Sequence, residues 1–273
     1  MKIAMLGLGN MNGAILAGML AAGTDPAGIC ATVHSEDSAR AAEERHGIAV
    51  SCTERNPEAN RNAASGADAV VLGVKPKYIL TLCREISTAL APDTVVVSVA
   101  AGITTSAMEE NLPEGQPVVR TMPNTPLTVG MGAVGLAGGR SVTEDHLDLA
   151  ERLFAGSGSV HRVAEDQIDA VAAVSGSGPA YAFLLAELMA AGGMELGLDE
   201  ALAKDLARST VAGAGRMLAD PTVDPAALRR AVTSPNGTTE AAVNSFLDAG
   251  LARLIADGMR ASAARGRQIS EES

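Results

Sequence analysis

Three stretches of this 273-residue chain combine residue types and spacings suited to chemistry. Near the start, Lys2 to Leu6 is a short apolar run, and Gly7-Leu8-Gly9-Asn10-Met11 breaks it before an apolar-periodic helix begins. Strand, glycine turn and helix in that order read as an anion cradle. Gly7 permits the tight turn, Gly9 lets backbone approach a pyrophosphate, and the helix opening near Asn10 offers free N–H groups and its positive dipole end. The third small residue of a strict dinucleotide fingerprint would fall at position 12, where the chain has Asn12, with Gly13 and Ala14 following a step late. Near the other end, Thr233-Ser234-Pro235-Asn236-Gly237-Thr238-Thr239 is a hydroxyl-rich turn immediately before a helix start. Free amides there suit a carboxylate, and the threonine hydroxyls can donate to or accept from a second polar atom. Between the two, Ser175-Gly176-Ser177-Gly178-Pro179-Ala180-Tyr181 puts flexible backbone inside an apolar helix, at about 1 kcal/mol per glycine.

The elements that must position these residues follow a regular rhythm in the first half. Residues 29–35 read as a second strand, 38–47 as a helix closed by Gly47, and 48–52 as a third strand. Residues 67–76 are a continuous apolar run of the kind found in a central parallel strand; 78–90 follow as a helix and 94–102 as another buried strand. Two short strands within 117–126 and 132–139 precede a helical stretch from Val142 to Phe154. This alternation predicts an α/β domain with a doubly wound parallel sheet, whose strand C-termini form one ligand-binding rim.

Several residues fall on that rim. His34 and Ser35 stand at the tip of the second strand, with Glu36 and Arg40 just beyond. No carboxylate occupies the tip itself, which leans toward a 2′-phosphorylated dinucleotide, although Glu36 weakens the case. Val74-Lys75-Pro76 closes the fourth strand, where proline ends pairing and turns the chain. Lys75 is either a ligand-facing cation or a solvated strand end. Ala100-Ala101-Gly102 leaves room for a flat ring.

From about Ala164 onward only helical patterns occur, so residues 1–163 read as a dinucleotide-binding domain and 164–273 as an all-α domain. Between Val171 and Met194 the only charged residue is Glu187. A helix so apolar must be covered on nearly all faces, and a chain of this size lacks the core to do it, which points to a second subunit. The Ser175 to Pro179 interruption and Glu187 argue against a membrane span.

Composition narrows the function classes. A formal charge of -11 argues against a nucleic-acid partner, so an anionic cofactor must be held by local amides and a few cations. Cys30, Cys52 and Cys83 share no C-x-x-C spacing and read as reduced core residues, favouring a cytoplasmic setting. His34, His46, His146 and His161 are scattered without ligand spacing, so no metal is expected. Asn10, Asn12 and the glycines interrupt the apolar N-terminal stretch where a secretory signal would be continuous.

Taken in order, GLGNMNGAI, Asn60 eight residues before Asp68, GVKP, SVAAGI, RTMPNTP, the SGSGPAYAF run and TSPNGTT resemble the pyrroline-5-carboxylate reductase family over almost the whole chain. The resemblance implies an N-terminal Rossmann domain and a helical domain that forms a homodimer, often within a larger ring. It also implies reduction of a cyclic imine to L-proline with NADPH, or with NADH. By position it assigns Leu8 to Met11 to the pyrophosphate, and His34 and Ser35 to the adenosine ribose and its phosphate. Asn60, Val74, Lys75, Pro76, Ala100 and Ala101 would line the rest of the cofactor channel, and Glu165, Ser234, Gly237, Thr238 and Thr239 match positions associated with substrate. Two departures stand out. The turn reads Pro-Asn-Gly, so Asn236 either narrows the carboxylate pocket or takes a positive φ, and extra residues around Glu54 to Pro57 lengthen the loop before Asn60.

What the sequence lacks fits this chemistry. A hydroxy-acid dehydrogenase needs a positioned Lys or His to move the alcohol proton, and residues 166–197 contain neither. A cyclic imine can arrive protonated, so that hydride addition requires mainly orientation and electrostatic support. The expectation is that amides of Gly237 to Thr239 hold the substrate carboxylate, Thr239 hydrogen-bonds the ring nitrogen as the catalytic residue, and Ser175 to Pro179 shape the pocket floor. A reductase of a different cyclic imine carboxylate and a non-catalytic NADP-responsive binding protein are the alternatives.

Overall fold

The computed structural model describes residues 1–271. They form two compact units: residues 1–176 together with the C-terminal segment from Ser262, and residues 177–261.

The first unit is built on an eight-stranded sheet in the order β3-β2-β1-β4-β5-β6-β7-β8. Its strands are β1 (Ile3–Leu6), β2 (Ile29–Val33), β3 (Ala49–Cys52), β4 (Ala69–Leu72), β5 (Val95–Ser98), β6 (Val118–Met122), β7 (Gly132–Gly138) and β8 (Gly158–Arg162). The helices between them are α1 (Asn10–Ala21), α2 (Glu36–His46), α3 (Ala59–Ala64), α4 (Ile79–Ile86), α5 (Thr105–Glu109) and α6 (Glu144–Arg152). Side chains of β1 alternate between two cores. Ile3 and Met5 pack with Ile15, Leu16, Met19 and Phe154, whereas Ala4 and Leu6 pack with Ile79, Leu82, Cys83, Ile86 and Met108. A strand covered on both faces explains why these segments read as unbroken apolar runs.

Two features differ from a simple parallel sheet. β7 runs antiparallel to β6, because the short link through Pro123 to Met131 is too brief for a crossover helix. β8, parallel to β7, does not stand out in the sequence: Gly-Ser-Val-His-Arg is short and polar, and it lies at the sheet edge with three of its five residues exposed. Gly158 has φ +150°, and a β-carbon there would overlap the Gly132 carbonyl, so close pairing of the two strand starts requires glycine.

After β8 the chain becomes helical: α7 (Ile168–Val171), a π-helical turn (Ala172–Gly176), then α8 (Gly178–Glu195), α9 (Glu200–Met217), α10 (Pro225–Ala231), α11 (Thr238–Asp248) and α12 (Leu251–Glu271). In the second unit, the buried residues of α8 and α9 are small: Ala190, Ala203 and Ala207. Large side chains face outward instead, with Phe183 68% and Leu188 61% exposed. By length and composition alone, residues 165–195 are apolar enough to cross a membrane. The end of α12 rejoins the first unit, where Ile269 packs on Gly102 and Gly266 approaches Asp169.

Candidate active site

The cradle forms at the end of β1 in the first unit. Gly7 takes φ +81°, and a β-carbon would come within 2.7 Å of Val74 Cγ1, so the turn and the close approach both demand glycine. The amides of Gly7 and Leu8 donate to the Thr32 carbonyl at 3.1 and 2.9 Å, and that of Gly9 donates to the Gly7 carbonyl at 2.9 Å. These three shape the loop and are not the free donors. Free donors begin with the first-turn amides of α1, Asn10 to Asn12, which have no intrahelical acceptor. Gly9 is the N-cap, nothing lies within 4 Å of where its β-carbon would stand, and the first turn carries no acidic residue. An open approach to three amides with no opposing carboxylate fits a pyrophosphate.

The other rim residues assemble at the same strand ends. Val74, Lys75 and Pro76 follow β4 and run into a short 3₁₀ turn; Lys75 is exposed. After β5, Ala100 is buried and Ala101 exposed. Ser35 caps α2, accepting from the Ser38 amide, and His34 is exposed beside it. Asn60 is a strut: its Oδ1 accepts from Thr32 Oγ1 at 2.7 Å and its Nδ2 donates to Glu85 Oε1 at 3.0 Å.

Glu165 belongs to a network that the sequence did not reveal. Arg120, with only 5% of its side chain exposed, places Nη1 3.5 Å from Glu165 Oε1 and Nη2 3.6 Å from Asp169 Oδ1. The Thr105 amide donates to Glu165 Oε1 at 2.6 Å, and its hydroxyl donates to Oε2. Nearby, the π turn leaves the Ser175 carbonyl to Asn124 Nδ2 at 3.0 Å, while Asn124 Oδ1 accepts from the Ala133 amide at 2.9 Å. Ser175 Oγ donates back to the Val171 carbonyl at 3.0 Å. An arginine inside the apolar run of β6 was the available signal, since such a cation needs a counter-ion.

In the second unit, the hydroxyl-rich turn leads into α11. Asn236 takes φ +61°, which settles one departure: asparagine fills a left-handed position that glycine would otherwise favour. Its amide donates to Glu240 Oε2 at 2.8 Å. The Gly237 amide donates to the Ser234 carbonyl at 3.0 Å, so it serves the turn, correcting its role as an anion donor. Free first-turn amides begin at Thr238 and Thr239, and both residues are exposed. Among the described residues, no group of three His, Cys, Asp or Glu side chains is placed to hold a metal ion.

The pyrroline-5-carboxylate reductase of Pseudomonas aeruginosa is 41% identical over 272 residues, covering 99% of this chain and 97% of that one. This chain belongs to the pyrroline-5-carboxylate reductase family. A second member, pyrroline-5-carboxylate reductase 1 of Bacillus subtilis, is 34% identical over 273 residues, covering 99% and 90% of the two chains. A family model described as pyrroline-5-carboxylate reductase dimerisation matches residues 165–269, and one described as NADP oxidoreductase, coenzyme F420-dependent, matches residues 2–102. Among solved structures, a pyrroline-5-carboxylate reductase from Coxiella burnetii has a TM-score of 0.91 at 38% identity, covering 98% of each chain. The Plasmodium falciparum pyrroline carboxylate reductase, solved with NADP bound, shares the fold at 23% identity and a TM-score of 0.82, with 98% of each chain covered. Membership in the reductase family also gives the exposed apolar surface of α8 a reason, because the dimerisation match spans that helix.

Proposed function

We propose that this chain reduces 1-pyrroline-5-carboxylate to L-proline with NADPH, the last step of proline synthesis. The near-full-length match to reductases of that name carries the reading, and the NADP oxidoreductase match over the glycine-loop unit supports the cofactor. When bound, the reduced nicotinamide supplies the hydride. Asn10 to Asn12 bind the pyrophosphate through their amides; Leu8 and Gly9 give it room; His34 and Ser35 meet the adenosine ribose. Val74, Lys75, Pro76, Ala100 and Ala101 line the channel, and Asn60 keeps the ends of β2 and α4 in register.

On the substrate side, the amides of Thr238 and Thr239 at the positive end of α11 bind the carboxylate, with the Ser234 hydroxyl beside them. The Thr239 hydroxyl holds the ring nitrogen, which carries its proton before hydride arrives, so no side chain need shuttle one. Gly237 shapes this tip, and Glu165 is held with Asp169 by Arg120 on the segment that leads into the π turn carrying Ser175. Two copies pair through the helical region, covering Phe183 and Leu188; sedimentation at twice the chain mass, 27.6 kDa, tests this.

The deciding assay combines protein, NADPH and pyrroline-5-carboxylate, following loss of reduced-cofactor absorbance and appearance of proline. Thr239→Ala should lower kcat/KM about tenfold or more, as expected for losing one oriented hydrogen bond in the transition state. Absence of proline, or better turnover of a larger cyclic imine carboxylate, overturns the substrate assignment.

A further inference from the structure

We propose that Arg55 determines cofactor choice, admitting a 2′-phosphorylated dinucleotide by holding Glu36 as an exchangeable partner. The inference rests on the cofactor reading above and goes beyond it to a residue in the lengthened loop after β3. Arg55 Nη1 lies 2.8 Å from Glu36 Oε1, at the first position of α2 and next to Ser35. The loop is anchored along the end of β2. Thr53 and Glu54 amides donate to the carbonyls of Val33 and His34 at 2.9 and 3.1 Å, and the Asn56 amide donates to the Cys52 carbonyl at 3.0 Å. Cys52 Sγ adds a contact to the His34 carbonyl at 3.0 Å. The backbone that carries Arg55 is therefore fixed against the tip where an adenosine ribose is expected.

Charge decides what that tip accepts. Glu36, Asp37 and Glu54 put three carboxylates around it, on a chain of net charge -11, and a phosphate dianion would be repelled. Arg40 lies one turn along α2, with Nη2 3.9 Å from Asp37 Oδ1, whereas Arg55 is the cation within hydrogen-bond distance of Glu36 at the start of that helix. A guanidinium offers a planar fork of donors that binds phosphate at least as well as carboxylate. With 72% of its side chain exposed, Arg55 can exchange Glu36 for a 2′-phosphate without dismantling any packing. With an unphosphorylated ribose, the Arg55–Glu36 pair persists and nothing is gained. Glu36 is thus a competitor for the same guanidinium, not a bar to the phosphate.

The test is calorimetric titration of the full chain with NADP+ and with NAD+, free of substrate. Arg55→Gln should weaken NADP+ about tenfold or more, the size of one charge-assisted hydrogen bond, while leaving NAD+ within threefold. Glu36→Gln should tighten NADP+ severalfold by removing the competitor, and raising ionic strength should shrink both effects. Equal losses for the two dinucleotides in Arg55→Gln, or no loss for either, would overturn the proposal. A parent protein that binds neither dinucleotide overturns the cofactor reading itself, and this inference with it.

Discussion

Asn12 fills the space that a side chain at Gly73 would need. Asn12 is fully buried at the third position of α1, with Nδ2 3.2 Å from the Gly7 carbonyl and 3.5 Å from that of Val71. A β-carbon on Gly73, just past the end of β4, would overlap the Asn12 carboxamide. The usual fingerprint gains close helix–sheet packing from a small residue on the helix. Here the small residue directly follows the strand and the polar one is on the helix, where it also ties down the glycine turn. Gly73→Ala should therefore cost about 1 to 3 kcal/mol through overpacking, visible as a fall in Tm of roughly 2 to 4 °C per kcal/mol. In Gly73→Ala combined with Asn12→Ala, the overlap is gone, and the two costs should add to less than their sum. Strict additivity in thermal melts would show that the residues do not compete for space.

Arg120 gives a larger effect. With its guanidinium buried between Glu165 and Asp169, Arg120→Met leaves two adjacent carboxylates without their cation. Breaking a buried pair costs about 3 to 5 kcal/mol, and the lower end applies because the carboxylates keep 29% and 20% exposure. Thermal unfolding should fall by roughly 10 °C. Glu165→Gln should cost less, since Thr105 and Arg120 both retain an acceptor oxygen. A Met variant as stable as its parent would show that the network contributes nothing.

How far the chain could be read without coordinates depended on the range of the cause. The β1 to α1 cradle was legible because strand, glycine and helix are contiguous, and φ +81° at Gly7 is the turn they imply. β8 was not, since an edge strand need not be apolar and Gly158–Arg162 offers one inward valine. The roles of Gly73, Arg55 and Asn124 were hidden for another reason: each acts on a partner far along the chain, and periodicity reports only neighbours. Gly237 shows a finer limit. A helix-start pattern announces free amides, but which amide the preceding turn consumes is settled only by the backbone geometry.

Cys83 supplies a pH test. Burial pushes its thiol from an ordinary value of 9.0 up to about 12, and the nearby Arg84 charge offsets only part of this. At pH 8 the folded thiolate fraction is on the order of one in ten thousand, so Cys83 should resist iodoacetamide until the protein is denatured. The linkage has a definite sign. Between pH 9 and 12 the unfolded chain loses this proton while the folded chain keeps it, so this contribution is complete below pH 9 and declines as pH rises. Alkaline melts of Cys83→Ala should show a shallower decline than the parent. Rapid labelling of Cys83 in the folded protein would contradict the burial.

Asn124 links the end of β6 to the π turn through two opposed contacts, which allows one to be removed while the other stays. Asn124→Asp keeps an oxygen to accept from the Ala133 amide, but it sets the second oxygen against the Ser175 carbonyl at a position only 8% exposed. The variant loses a buried hydrogen bond and gains a repulsion, costing about 1 to 3 kcal/mol. Because π turns recur where a helix must redirect a functional segment, the shift should pass to Ser175 and lower kcat/KM for the cyclic imine at least tenfold. Neither Asn124 hydrogen bond involves the α1 cradle, so NADP+ affinity should stay within threefold. Parallel losses of imine turnover and NADP+ binding would mean that Asn124 supports the whole sheet edge and not the turn.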